Sequence, residues 1–179
     1  MRIRFLVAAI AGLMVFKMNG ISQPPIWFVK LKREIKLLES DRKDFERSFS
    51  DASVVYSFPN GRIQTVMYQT QFGEVEVTYS GGDCEKYYDY RVRKDTIIRL
   101  VILLPPENRP RFKRLKIDTT GFQTTREDDG TFLRVDPASG YSYSTQRKRL
   151  SSLLIEPTVS QNLLRCSTKT ESEDRSDQR

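Results

Sequence analysis

Histidine is absent from this chain of 179 residues, and that absence limits the reactions its side chains can catalyse. Histidine is the commonest general base and metal ligand, so Ser-His-Asp and Cys-His hydrolases and imidazole-dependent zinc sites are excluded. A Ser-x-x-Lys pattern occurs at Ser40 and Lys43, but the Ser-Asp-Asn and Lys-Thr-Gly motifs that accompany it in penicillin-recognising enzymes do not. Ser40 is better explained as a helix cap. We expect no catalytic residue of these types, no metal site and no cofactor.

Paired carboxylates need no histidine, so a carboxylate-based hydrolase that acts on glycans remains an alternative. The sequence does not locate such a pair. The acidic run 127–129 lacks the alternating ligand spacing and the closing glutamate of a calcium loop, and we predict a solvated turn there.

Tyrosines and charged residues are most concentrated directly after Cys84. Tyrosine offers a large contact area with a polar tip, so this segment could form a loop that recognises a protein partner. The same loop could instead fold its rings over the edge of a sheet. The candidate partner-binding residues are Tyr87, Tyr88, Tyr90 and Arg91.

Basic residues form two separate clusters in the second half of the chain. Such clusters could bind nucleic acid, a cell-wall polymer or lipid headgroups, although charged turns also serve solubility. Arg109 opens the first cluster. The candidate anion-binding residues are Arg111, Lys113, Arg114, Arg147, Lys148 and Arg149.

Residues 1–22 combine a positively charged start, an apolar run and small residues before Gln23, a pattern typical of a secretory signal peptide. An uncleaved anchor is the alternative. We expect a secreted or periplasmic protein in which the two cysteines, Cys84 and Cys166, form one disulfide. The net charge is +7, of which the signal segment carries three positive charges, so the mature chain is near +4. The predicted organisation is one domain over 23–166 and a disordered polar tail over 167–179.

The elements that must position these residues follow from periodicity and turn signals. A helix over 42–49, capped by Ser40 or Asp41, should bury Phe45 and Phe49. The stretch 26–38 fits either a helix or, towards its end, a short strand. Alternating apolar residues and turn residues predict strands over 52–58, 62–70, 72–80, 96–104, 131–135, 141–145 and 150–156. The strand 96–104 is apolar on both faces and should be central. We predict an α+β fold, in which an N-terminal helical region packs on a mostly antiparallel sheet of six or seven strands.

Five short motifs, in this order, resemble an uncharacterised family of exported bacterial proteins. They are the capped helix start at 40–46, Tyr-x-x-Gly-x-Cys at 79–84, Asp-Thr-Ile-Ile at 95–98, Gly-Tyr-Ser-Tyr at 140–143, and Leu-Arg-Cys at 164–166. A capped helix before an antiparallel meander is also similar to small outer-membrane assembly lipoproteins and to the β-lactamase-inhibitor-protein fold. The second resemblance implies a binding module of helix and sheet without catalysis, whereas the first implies no activity.

The sequence therefore predicts a small exported interaction or structural protein without catalysis of its own. The alternatives are the glycan hydrolase and a binder of anionic polymers or membrane surfaces. The binder would act through the two basic clusters.

Overall fold

The computed structural model describes residues 23–60, 63–81, 86–87 and 90–158. The predicted signal peptide, the predicted tail, Cys84 and Cys166 lie outside these residues. The helices are α1 (Ile26–Glu34) and α2 (Arg42–Ser48), with 3-10 turns at Pro106–Asn108 and Phe112–Leu115. The strands are β1 (Ser53–Asn60), β2 (Ile63–Gln69), β3 (Glu74–Ser80), β4 (Lys86–Tyr87), β5 (Tyr90–Arg91), β6 (Ile97–Leu103), β7 (Gln123–Arg126), β8 (Phe132–Asp136), β9 (Tyr141–Gln146) and β10 (Arg149–Ile155).

Eight strands form one antiparallel sheet in the order β1-β2-β3-β6-β10-β9-β8-β7. The predicted antiparallel architecture is confirmed, as is the central position of β6. The predicted count of six or seven strands is wrong, because the sheet also includes β7, a polar strand that was not predicted. The α+β class holds only in part, since the two helices have nine and seven residues and the sheet dominates.

The stretch 26–38 is a helix followed by a turn. α1 ends at Glu34, and the next residue, Ile35, is extended (φ −109°, ψ 121°). Leu38 takes a left-handed conformation at φ 63°. The apolar stripe is nevertheless buried as a helical pattern predicts, with Phe28, Leu31, Ile35 and Leu38 all inside.

The N-terminus of α2 is closed by a reciprocal pair of hydrogen bonds. The Asp44 backbone N–H donates to the Asp41 carboxylate at 2.9 Å, and the Asp41 N–H donates to the Asp44 carboxylate at 3.1 Å. This capping box satisfies two N–H groups that a helix start leaves without partners. Of the two residues predicted as the cap, Asp41 is confirmed, and the interpretation of Ser40 as the helix cap is wrong. The Ser40 hydroxyl instead accepts from the Lys36 N–H at 3.0 Å, a structural contact.

One face of the sheet packs against both helices and forms the main core. Alternate residues of each strand point to this face, as the period of two requires. The predicted burial of Phe45 and Phe49 is confirmed. The core includes Phe28, Leu31, Phe45, Phe49, Val66, Tyr68, Val75, Val77, Tyr79, Leu100, Ile102, Leu115, Tyr143, Leu150, Leu153 and Ile155.

Buried tyrosines link α2 to the sheet. The hydroxyl groups of Tyr68 and Tyr79 lie 3.1 Å apart, and the Tyr68 hydroxyl donates to the Glu46 carboxylate at 3.2 Å. The Arg42 guanidinium lies over the Tyr79 ring, 4.7 Å from its centroid. Burial disfavours the phenolate and raises the pKa of four tyrosines above the ordinary value. These are Tyr68, Tyr79, Tyr141 and Tyr143.

The opposite face of the sheet is only half covered. On β6, Val101 is half-buried and Leu103 is 44% exposed. The guanidinium of Arg99, on the same face, lies 2.8 Å from Glu76 and 3.2 Å from Glu156. The apolar pattern of β6 therefore reflects its central place in the sheet and does not mean that both of its faces are buried.

Candidate anion-binding site

The structure brings the two predicted basic clusters together at one end of the sheet. The Phe112 N–H donates to the Lys148 carbonyl at 2.9 Å, and the Leu150 N–H donates to the Pro110 carbonyl at 2.9 Å. Arg111 and Arg149 form an antiparallel bridge between the two segments. We call the combined surface the basic patch, and its residues are Arg109, Arg111, Lys113, Arg114, Arg147, Lys148 and Arg149.

Buried apolar side chains explain why the segment 109–115 lies against the sheet with its cations pointing outward. Leu115 is buried in the core, and the Phe112 ring meets the Tyr143 ring edge-on at 5.5 Å. The guanidinium of Arg134 covers Phe112, 5.0 Å from its ring centroid. Because these side chains point inward, every cation of the patch is exposed except the half-buried Arg109.

Backbone carbonyl and amide oxygens hold two of the arginines. The Arg109 Nε donates to the Leu104 carbonyl at 3.0 Å, and its Nη1 donates to the Gln146 amide oxygen at 3.2 Å. The Arg149 Nη1 donates to the Arg109 carbonyl at 2.8 Å. These acceptors orient the guanidinium groups but leave their full positive charge in place.

No ion pair found among the described residues involves the basic patch; the pairs join other cations to Glu34, Glu39, Asp44, Glu76 and Glu156. The bridge also sets Arg111 directly opposite Arg149, and like charges opposite one another in a sheet are destabilising. An anion placed between the two segments would relieve this repulsion.

The turn between β9 and β10 adds backbone strain to the same place. Arg147 and Lys148 are its two central residues, with φ of 49° and 64°. Positive φ at both positions is the type I′ geometry for which Asn-Gly is preferred, because longer side chains cost about 1–2 kcal/mol each there. Lys116, which lies next to the basic patch in sequence, also has a positive φ, of 51°. Strained non-glycine residues are enriched at functional sites.

The predicted tyrosine cluster lies elsewhere. Lys86 pairs with Arg91 and Tyr87 pairs with Tyr90 in a two-stranded ladder that is separate from the large sheet. Tyr88 lies outside the described residues. The ladder falls between the end of β3 and the start of β6, at the opposite end of the sheet from the basic patch. The structure therefore does not join the two predicted sites.

A shallow groove of about 410 Å³ contains two exposed carboxylates, Glu74 and Glu107. This groove is where the hydrolase alternative would place its pair. Retaining and inverting glycosidases need a general acid with a raised pKa. In three described carboxyl groups, hydrogen bonds instead hold the pKa below its ordinary value: Arg33 lowers the pKa of Glu34, Thr120 that of Asp118 and Thr131 that of Asp129.

Within the described ranges, no three carboxylate or thiol side chains come together as metal ligands. The acidic run 127–129 lies in the turn between β7 and β8, where the Glu127 N–H donates to the Thr131 carbonyl at 2.8 Å. The described helices are also too short and too polar to cross a lipid bilayer. Comparisons of this chain with protein-family models, curated proteins and solved structures give no significant match.

Proposed function

We propose that this protein is a non-catalytic binding protein whose basic patch binds a phosphate-bearing linear polymer. The observation that supports this most directly is that seven cations from two distant segments converge without a carboxylate partner among the described residues. If solubility were the only role of these exposed cations, acidic neighbours would lower the electrostatic repulsion among them. Five of the seven are arginines, whose planar fork suits bidentate binding of phosphate oxygens.

A linear polymer fits this surface better than a membrane does. Proteins that lie on lipid usually combine cations with exposed apolar side chains that enter the interface. Neither segment of the patch carries an exposed large apolar side chain, since its aromatic residue, Phe112, is half-buried beneath Arg134.

The proposal is tested with a double variant that removes two exposed cations, Lys113→Gln with Arg114→Gln. The ligands are polyphosphate, an oligonucleotide and heparin, with vesicles of anionic lipid as a separate arm. Each lost phosphate contact lowers the slope of log affinity against log salt by about 0.7–0.9, so two contacts weaken binding about 15- to 30-fold at about 0.15 M salt. The matched control is Lys43→Gln with Arg93→Gln, which removes two exposed cations at the other end of the sheet.

We expect the control to change affinity less than about twofold, because charges well beyond the Debye length of about 8–10 Å are screened. Equal losses in both variants would mean that only net charge matters, and would refute the site. Binding to vesicles but to none of the polymers would refute the choice of ligand.

We also propose that the protein works outside the reducing cytosol as one α+β domain over 23–166, closed by a Cys84–Cys166 disulfide. The support is the residue pattern of 1–22 together with exactly two cysteines in the chain. Cell fractionation and the mass of the mature chain test this proposal. A full-length cytosolic protein with both thiols open to alkylation would contradict it.

A further inference from the structure

The edge strand β1 is exposed along its whole length. Val54, Val55, Tyr56 and Phe58 retain between 49% and 63% of their accessible surface. An exposed apolar edge strand presents unpaired N–H and C=O groups to other chains, and proteins usually protect it. β1 carries no charged residue, and its two irregularities are a bulge at Val55 and Pro59 near its end.

The exposed side chains of β1 lie on both faces of the sheet. Val54 is opposite Tyr68, whose side chain points into the core, so Val54 lies on the face that the helices cover further along the sheet. Tyr56 is opposite Met67 and lies on the half-covered face of the sheet. Phe58, two residues further along β1, lies on the same face as Tyr56. A partner docked on one face would contact only the side chains of that face, whereas a strand added beside β1 would contact side chains on both faces.

The other edge of the sheet is different. β7 has four residues, Gln-Thr-Thr-Arg, which include a charged residue and no apolar one. Short, polar and charged edges resist strand addition. The sheet therefore has one short polar edge, β7, and one long apolar edge, β1, which only a bulge and Pro59 interrupt.

We propose that β1 pairs in an antiparallel manner with β1 of a second copy of this chain, about a two-fold axis at Ser57. In this register Tyr56 of each copy lies opposite Phe58 of the other, and both residues share a face. The axis thus creates two aromatic cross-strand pairs, the type of pair that stabilises antiparallel sheets. A two-fold pairing uses the same surface on both copies and closes on itself.

Charge at this edge does not oppose a second copy. Two mature molecules, each with a net charge near +4, repel each other, but β1 itself is neutral, so pairing brings no like charges of this strand into contact. The basic patch lies near the start of β10, four strands from β1. At about 4.8 Å per strand, the two patches of a dimer are roughly 40 Å apart, well beyond the Debye length.

Closure also sets the size of the assembly. Once the two β1 strands pair, the remaining edges of the joined sheet are the two copies of β7. Because these edges are short and polar, we expect a dimer and no higher assembly.

Sedimentation velocity on the mature chain, from about 1 to 100 µM, tests the proposal, with dimer expected to dominate at the upper end. Ser57→Lys places two cations opposite each other at the axis, and we expect the dimer fraction to fall at least tenfold. Thr124→Lys adds the same exposed charge to β7 and should leave the dimer intact. Circular dichroism checks that both variants fold.

Ser57→Cys tests the register, because identical residues at the axis have Cα atoms about 4.5–5.5 Å apart, within disulfide range. We expect a covalent dimer under oxidising conditions, while Ser53→Cys gives none. A monomeric wild type at about 100 µM, a dimeric Ser57→Lys variant, or equal cross-linking of the two cysteine variants would each overturn the proposal. None of these readouts depends on polymer binding.

Discussion

Replacing the strained basic turn by the pair that its geometry prefers should stabilise the protein and weaken its binding at the same time. The variant is Arg147→Asn with Lys148→Gly. Both native residues have positive φ, which costs a long side chain about 1–2 kcal/mol. Glycine at position 148 reduces this gain in stability by about 0.5–1 kcal/mol, because the unfolded chain then has more conformational freedom to lose on folding. Asparagine at position 147 tolerates the left-handed region. We expect a net gain of about 1 kcal/mol in the free energy of unfolding.

For a chain of 179 residues, this gain corresponds to a rise in Tm of about 2–4 °C. The same variant removes two cations from the basic patch. Its affinity for polyphosphate should therefore fall about 15- to 30-fold at about 0.15 M salt, with a salt slope smaller by about 1.4–1.8. Differential scanning fluorimetry and fluorescence anisotropy over a salt series measure the two effects.

The opposite signs make the test sharp. The control variant Lys43→Gln with Arg93→Gln has the same loss of charge without any change at a positive-φ residue, so neither Tm nor affinity should move appreciably. An unchanged or lower Tm in the turn variant would refute the assignment of strain. A higher Tm with unchanged affinity would show that the turn does not contact the polymer.

Three further predictions concern stability. Gly140→Ala should lower the free energy of unfolding by at least about 2 kcal/mol more than Gly130→Ala in urea titrations: both glycines have positive φ, but only at Gly140 does a Cβ meet backbone, 1.9 Å from the Glu156 carbonyl oxygen; equal losses would contradict this packing. The four tyrosines with a raised pKa (Tyr68, Tyr79, Tyr141 and Tyr143) have a folded pKa above the unfolded value of about 10, so their contribution to stability is complete below pH 10 and is lost as the pH rises through the folded pKa; Tm should fall above pH 10, and phenolate absorbance equivalent to four tyrosines should appear only on unfolding. Reduction of the proposed Cys84–Cys166 bridge should cost about 2–4 kcal/mol, and a Tm that reducing agent leaves unchanged would argue against the bridge.

The strands and the capped helix could be predicted because their signals are local. The alternation along β3 and the Asp41 cap are complete within a few residues of sequence. β7 gives no such signal, since its polar residues show no apolar alternation and the strand is held by pairing with β8. The end of α1 was also beyond prediction, because the apolar stripe continues past Glu34 while the backbone becomes extended.

The residues of the candidate site could be predicted, but their arrangement could not. Composition alone identified both basic clusters. Their meeting depends on the bridge between Arg111 and Arg149, which are distant in sequence, and no local pattern encodes such a contact. The left-handed conformation of Arg147 and Lys148 has no compositional signal either, because these side chains are the opposite of what a type I′ turn favours. A conflict between the local preference of residues and their conformation in the fold indicates a functional site, and it can be recognised only when the backbone conformation is known.

The left-handed turn has a consequence for directed evolution of this protein. A random library selected for heat resistance alone should repeatedly accumulate asparagine, aspartate or glycine at positions 147 and 148, because nothing in such a screen rewards the cations. A library selected under heat and polyanion capture together should keep them. The residues found at these two positions would therefore show whether a library had been selected for stability alone or for stability together with polyanion binding.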